Sequence, residues 1–384
     1  MERIVKYKSI FIGIILLLGV WSGKHDQSTL SASRNKLQHY TQECDKKKYD
    51  SCVKLGSLYE TAQSDKRDYP KALAFYTQAC KANNAQGCYH MGLMYENGRG
   101  VRLDFKQAAS AYTKACDDKV IEACAKLGIM YARGKGVTKD IKQAKKMHAL
   151  ACNKGFMGSC SDLGWQYQYA KEGKKDLKKA AKLYRKACEG ESMIGCFNLA
   201  LMYDNGILKN DHTQSTYYYT RSCEGNYSAA CINLGANHEN SLEKNYQKAM
   251  PFYQKACTLD GADGCYNVAR LYHFAKGVKK NIPKAIKGYN EGCALGSVNA
   301  CFNLATLYEN GKETLRDYSK ALHFYTLACD GNYAEGCQSA GIMYYYARGV
   351  PTDTKKAKEL FGKACDGGVA DGCSNYAILE KKGI

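Results

Sequence analysis

The sequence predicts an all-α solenoid, and three observations support this fold class. Twenty cysteines form ten pairs whose members lie eight residues apart, and the pairs recur every 36 residues, with two shorter steps of 35 and 34. The segments around them have the periodicity of amphipathic helices. No segment shows the strict alternation of a β-strand. A period of this length is typical of solenoids, in which each unit packs only against its neighbours.

The cysteine pairs indicate where the chain turns. Sequence alone does not fix connectivity, but only pairing across the short gap gives every cysteine a partner. Residues eight apart in one helix are separated by about 12 Å, whereas a disulfide requires Cα atoms within about 7 Å. Each pair therefore closes a helix–turn–helix corner. The predicted disulfides are Cys44–Cys52, Cys80–Cys88, Cys116–Cys124, Cys152–Cys160, Cys188–Cys196, Cys223–Cys231, Cys257–Cys265, Cys293–Cys301, Cys329–Cys337 and Cys365–Cys373.

A helix is predicted on each side of every corner. Before each first cysteine, as in the run 70–80, Ala, Tyr and Cys recur at three- and four-residue spacing. After each second cysteine comes another helix that ends at a Gly-rich turn. The fourth residue after that cysteine is always small, and because Gly is unfavourable in a helix, we expect a close helix crossing there. This small-residue column is Gly56, Gly92, Gly128, Gly164, Ala200, Gly235, Ala269, Ala305, Gly341 and Ala377.

These motifs resemble a known repeat family. The combination of Leu-Gly-x-x-Tyr, a G-x-G-V turn followed by Asp, and K-A-x-x-x-Tyr-x-K-A is similar to the Sel1-like repeat, a relative of the tetratricopeptide repeat. The cysteines at both alanine-like positions resemble its secreted branch, the Helicobacter cysteine-rich proteins. The resemblance covers about residues 40–384. It implies a right-handed α-solenoid of about nine to ten helix-pair repeats, each corner stapled by a Cys-x7-Cys disulfide.

The N-terminus predicts export. Residues 1–22 resemble a signal peptide, with Arg3, Lys6 and Lys8 before an apolar run and a cleavage site after Ser22. Residues 23–33 are predicted to be a linker and 34–384 the solenoid. The apolar run is shorter than the roughly 20 residues of a membrane span, so we expect none after cleavage, and an uncleaved anchor is the alternative. The expected location is secreted or periplasmic in a bacterium, where disulfides persist.

Charge and metal-binding patterns are less informative. The formal charge of +19 is spread as lysines through every repeat without a nucleic-acid-binding motif. We therefore predict solvated faces and no nucleic-acid partner, with attraction to an acidic partner as the alternative. The cysteines lack C-x-x-C spacing, and the histidines keep no regular offset from them. We expect no metal and no cofactor.

The family resemblance also implies an alternative function, a penicillin-binding protein with weak β-lactamase activity. Enzymes of that chemistry use Ser-x-x-Lys together with Ser-Asp-Asn and Lys-Thr-Gly. Ser-x-x-Lys begins here at Ser33, Ser51 and Ser241, but neither of the other elements occurs. No catalytic residue can be named, so an enzyme label would depend on the resemblance alone.

A binding role has more support from the residues. A polar column lies two residues before the small-residue column, and in tetratricopeptide relatives the matching Asn faces a concave groove and holds an extended peptide. Aromatic residues often precede it. The resemblance therefore implies a ligand-binding groove formed by Asn198, Asn233, Asn267, Asn303, Asn375, His90, Tyr89, Phe197, Tyr266 and Phe302. The alternative is that the asparagines cap or bridge neighbouring repeats. We predict a monomeric exported protein that binds a protein or extended peptide on its concave face.

Overall fold

A computed structural model describes residues 35–62, 67–170, 175–209, 211–241 and 244–384. The predicted signal peptide, 1–22, and linker, 23–33, lie outside these ranges. The described residues form α-helices joined by turns and contain no β-strand, which confirms the predicted all-α solenoid. These described residues form two compact units, with the division between Ala180 and Ala181.

Among the residues that the structure describes, eight helices lie wholly within the first unit. A first helix, α1, spans 35–45 of the described residues. The others are α2 Tyr49–Thr61, α3 Tyr69–Lys81, α4 Ala85–Asn97, α5 Phe105–Asp117, α6 Ile121–Arg133, α7 Ile141–Asn153 and α8 Met157–Gln168. The boundary between the units falls inside α9, Leu177–Glu189.

The second unit continues the same helix-pair pattern. Its helices are α10 Met193–Asp204, α11 His212–Glu224, α12 Ser228–Asn240, α13 Tyr246–Thr258, α14 Ala262–His273, α15 Ile282–Ala294, α16 Val298–Asn310, α17 Tyr318–Asp330, α18 Ala334–Tyr345, α19 Thr354–Asp366 and α20 Ala370–Lys381. Throughout the chain, each odd-numbered helix precedes a disulfide corner and each even-numbered helix follows one.

Side-chain caps fix where the odd-numbered helices begin. The Asp104 carboxylate accepts hydrogen bonds from the backbone N–H groups of Lys106 and Gln107, at 2.8 and 3.0 Å. Such a cap satisfies donors of the first helical turn and contributes about 1 kcal/mol. The other caps of this kind are Asp68, Asp140, Asp176, Asp211, Asn245, Asn281, Asp317 and Asp353.

The disulfide corners have the predicted connectivity. At the second corner, Asn83 adopts a left-handed conformation with φ of 60° and its N–H donates to the carbonyl of Cys80 at 3.0 Å. The chain reverses there, so Cys80 and Cys88 approach to a Cα–Cα distance of 4.4 Å. All ten predicted pairs are bonded, and every described cysteine belongs to one of them.

An aromatic ring explains the small-residue column. A Cβ atom added to Gly92 would lie 2.6 Å from Cε1 of Tyr112, and one added to Gly56 would lie 2.7 Å from Cε1 of Tyr76. Real Cβ atoms do not approach so closely, so glycine makes room for the ring. The sequence predicted that two helices cross closely at this column. Instead, an aromatic side chain of the following odd-numbered helix packs against the small residue. We call the buried aromatic residues at this position of the odd-numbered helices the ring column: Tyr76, Tyr112, His148, Tyr184, Tyr219, Tyr253, Tyr289, Tyr325 and Phe361.

Candidate binding face

The ten predicted groove residues lie on even-numbered helices. His90 and Tyr89 are on α4, and the asparagines are on α10, α12, α14, α16 and α20. Every one of the ten is half-buried, so each combines contacts within the protein with access to solvent. In the second unit, we call Asn198, Asn233, Asn267 and Asn303 the amide column.

Buried hydroxyl groups of the ring column donate hydrogen bonds to carboxylates. The Tyr112 hydroxyl donates to Glu96 Oε2 at 2.6 Å, and burial together with this bond raises the pKa of Tyr112 well above its usual value. The phenol therefore remains protonated as a donor. The same arrangement joins Tyr76 to Glu60, Tyr219 to Asp204, Tyr253 to Glu239 and Tyr325 to Glu309.

Basic side chains complete the coordination of several carboxylates. Arg99 donates to Glu60 at 3.0 Å, and Arg348 donates to Glu309 at 3.1 Å. Arg270 contacts Glu239 at 2.5 Å. Burial by itself would raise the pKa of Glu239, but hydrogen bonding from Arg270 lowers it overall. Each of these carboxylates accepts hydrogen bonds from a phenol and from a basic side chain, so it links the packed helices.

The amide column is anchored to the same networks. The Asn233 amide N–H donates to the Tyr219 hydroxyl at 3.2 Å. Conversely, Asn267 Oδ1 accepts from the Nε and Nη2 atoms of Arg270, at 3.4 and 3.3 Å. Each amide thus uses one end within its own helix pair. The amide groups left for a ligand differ: Asn233 offers its oxygen as an acceptor, whereas Asn267 offers its N–H group as a donor.

The predicted aromatic residues pack against the ring column of the next odd-numbered helix. The Phe302 ring lies 5.4 Å from Tyr325 and 5.1 Å from Tyr333, measured between centroids. The Phe197 ring contacts Tyr219 and Tyr227 in the same way. Tyr89 is 6.0 Å from Tyr112, and Tyr266 is 6.0 Å from Tyr289. His90 instead stacks on Tyr76 at 4.8 Å. These aromatic side chains therefore contribute to helix packing as well as to the half-exposed face.

Sequence reasoning missed a buried polar cluster in the first unit. His148 replaces a ring-column tyrosine and is 1% exposed, beside the fully buried Ser159. Its Nδ1 atom lies 3.5 Å from Ser159 Oγ and 3.8 Å from Asp162 Oδ2. A catalytic relay uses both ring nitrogens and an accessible nucleophile. This cluster has neither, so it is a packing feature, and the histidine within the tyrosine pattern is the signal that could have revealed it.

Several of the lysines that give the chain its positive charge lie over tyrosine rings. The Lys320 ammonium is 5.1 Å from the Tyr308 ring centroid, and Lys71 is 5.4 Å from that of Tyr59. Both lysine side chains are more than half exposed. Their aliphatic stems and charges therefore cover aromatic surface while the ammonium groups remain solvated.

Two other candidate sites do not fit their chemistry. Cys257, Cys265 and Glu291 lie close together, but the two sulfur atoms form a disulfide and cannot act as thiolate ligands. Of the Ser-x-x-Lys serines, Ser51 lies on α2 and Ser241 directly follows α12, whereas Ser33 is outside the described residues. None of the described helices is long and apolar enough to cross a membrane.

Comparisons with known proteins identify the repeat. The Sel1 repeat model matches residues 50–84, 85–119, 121–156, 159–192, 194–227, 228–261, 262–297, 298–333 and 334–369. A search of curated protein sequences finds no match.

Several solved structures are similar to the chain. The protective antigen c5321 of uropathogenic Escherichia coli, which displays an SLR fold, is 25% identical over 90% of both chains, with a TM-score of 0.45. The Sel1 repeat protein from Oxalobacter formigenes is 20% identical over 89% of both chains, with a TM-score of 0.49. Helicobacter pylori cysteine-rich protein B is 33% identical over 35% of this chain and 98% of its own, with a TM-score of 0.29. The comparisons give no support to the β-lactamase alternative.

Proposed function

The chain belongs to the Sel1 repeat family, and from this premise we propose that it is an exported protein that binds an extended segment of a partner protein along its even-numbered helices. Repeats of this family typically mediate protein–protein interactions. The amide column, with Asn375 and the aromatic residues Phe197, Tyr266 and Phe302 of the same unit, is the proposed contact surface.

The observation that carries the proposal is the opposite polarity of two neighbouring amides. Asn233 uses its N–H on Tyr219, so its oxygen can accept from a backbone N–H of the partner. Asn267 uses its oxygen on Arg270, so its N–H group can donate to a backbone carbonyl. An extended chain offers both groups along its length. Anchored amides also lose less side-chain entropy when a partner binds.

The compartment of the proposed function follows from the disulfides. Ten disulfides indicate a protein that resides outside the reducing cytoplasm. The N-terminal signal peptide predicted at 1–22 would deliver it to the periplasm or the medium. We propose that it acts there as a monomer, and the charge of +19 favours an acidic partner.

A selected peptide can test the amide polarity. Oxidised protein would be used to select binders from a library of random dodecapeptides displayed on phage, and the dissociation constant of an enriched peptide would be measured by calorimetry. Asn267→Asp keeps an acceptor for Arg270 and replaces the outward donor with an oxygen. We expect it to weaken binding about tenfold, because one hydrogen bond is lost and an unpaired acceptor faces a carbonyl.

Asn290→Asp is the matched control, since it makes the same charge change at an exposed position on α15. It should change the dissociation constant less than about twofold. The proposal fails if no peptide is enriched over a reduced-protein control, or if Asn267→Asp binds as tightly as Asn290→Asp. Circular dichroism of both variants shows whether folding is preserved.

A further inference from the structure

One helix pair of the second unit departs from the hydroxyl–carboxylate pattern. In four other even-numbered helices, a glutamate directly follows a tyrosine or histidine near the end of the helix: Glu60, Glu96, Glu239 and Glu309. At the same position, α14 has His273. Its Nδ1 atom lies 3.2 Å from the buried Tyr289 hydroxyl, in the position that a carboxylate oxygen has elsewhere. The other ring nitrogen, Nε2, is 2.9 Å from Glu313 Oε2. The histidine thus connects a buried phenol to a carboxylate supplied by the loop after α16.

Both carboxylate oxygens of Glu313 already have partners. His273 contacts one oxygen, and Lys280 donates to the other. Hydrogen bonding from Lys280 is the main cause of the lowered pKa of Glu313. Because these two donors occupy the carboxylate, it has little capacity left to bind a cationic ligand.

A cavity of about 290 Å³ opens beside this group. Asn303, Thr306 and Asn310 line it from α16, and Phe274 contributes a ring that is 54% exposed and stacked on His273. Asn303 is the predicted groove residue that falls in this cavity. Its volume is just below the range of pockets for drug-sized ligands, so it suits a single side chain.

Each unpaired polar side chain in the cavity offers at least one hydrogen-bond donor. Lys312 lines it and makes no ion pair with any other described residue, and the amides of Asn303 and Asn310 can donate N–H groups. With Glu313 balanced by Lys280, the remaining charge of the cavity is positive. Carboxylates are the ligands that match a lysine flanked by amide donors.

We propose that this cavity binds the carboxylate of an acidic residue in the partner segment, with Lys312 as the ion-pair partner and the amides of α16 as hydrogen-bond donors. The inference rests on the proposed function for its source of the acidic residue. It adds a specificity site to that face, because Asn233 and Asn267 contact a backbone whereas this cavity selects a side chain.

A single-residue ligand tests the cavity without any partner. N-acetyl-glutamate methylamide would be titrated into the full oxidised protein at low salt, and the methyl resonances of Thr306 and Leu307, both in the cavity wall, would be followed by NMR. N-acetyl-glutamine methylamide has the same shape without the charge. We expect saturable shifts with the glutamate compound, at a dissociation constant on the order of 1 mM, and at least about tenfold weaker binding of the glutamine compound.

Two variants locate the charge. Lys312→Ala should weaken binding of the glutamate compound about tenfold, whereas Lys114→Ala, which removes an exposed lysine from α5 in the other unit, should change it less than about twofold. Equal shifts from both compounds, no shift at either methyl group, or unchanged binding by Lys312→Ala would overturn the proposal. Selected peptides that require Asn267 but contain no acidic residue would also refute it, and they would leave the proposed function intact.

Discussion

Acidification should destabilise the first unit through the side chain of His148. This imidazole occupies the place of a ring-column tyrosine, and its ring lies 2.9 Å from where a Cβ on Gly128 would be. It is 1% exposed. The groups facing it are the Ser159 hydroxyl and the Asp162 carboxylate, and the Asp162 oxygen is 3.8 Å away. A proton added to this imidazole would therefore place a poorly compensated charge in the core.

The size and sign of the effect follow from the two pKa values. Burial lowers the pKa of His148 from 6.5 to about 4. The unfolded chain then binds the proton more readily than the folded one, so stability falls as the pH drops below 6.5. At about 1.4 kcal/mol per pK unit, the loss approaches about 3 kcal/mol near pH 4. Burial also raises the pKa of Asp162, and its protonation acts in the opposite direction, so about 3 kcal/mol is an upper value.

Tryptophan fluorescence can isolate this contribution. In a Trp21→Phe background, Trp165 on α8 is the sole tryptophan, and it reports on the unit that contains His148. Urea unfolding would be measured from pH 7.5 to 4 for the wild type and for His148→Phe, a ring that the column already accepts at Phe361. The variant should lack the loss of up to about 3 kcal/mol. Parallel profiles would refute the reasoning, and the exposed His323→Phe serves as the control.

Two further predictions concern the scaffold. Limited reduction followed by alkylation and mass mapping should label Cys365 and Cys373 first, because both are half-buried whereas Cys188 and Cys196 are buried; early labelling of Cys188 would contradict this. Tyr112→Phe should lower the urea unfolding free energy by about 2 kcal/mol, because it removes the hydroxyl that donates to Glu96. Tyr217→Phe, at a residue 54% exposed, should cost less than about 0.5 kcal/mol, and equal stability of the two variants would show that the buried bond contributes nothing.

The sequence was sufficient to predict the helices and the disulfides because both depend on short spacings. A corner closes between residues eight apart, and a helix face repeats every three or four residues. The contact between Gly92 and Tyr112 joins residues 20 apart on different helices. Each column was visible in the sequence, but their contact depends on how the helices pack. The polarity of Asn233 depends likewise on a tyrosine of another helix, so no local pattern could predict it.

The two histidine departures from the hydroxyl–carboxylate pattern show how solvent access separates a packing feature from a binding site. His148 and His273 each have a carboxylate beside them. His148 is buried and out of reach of a ligand, so any change in its charge affects only the free energy of unfolding. His273 lies under an open cavity, where Lys280 balances the charge of Glu313 and where Lys312 makes no ion pair with any residue that the structure describes. A ligand can reach the charge of Lys312. Because the disulfide corners and ring contacts already stabilise the helices on either side, binding there does not require the ligand to order them. The repeat can therefore change a structural position into a recognition position by exchanging one carboxylate for a histidine and adding a loop residue.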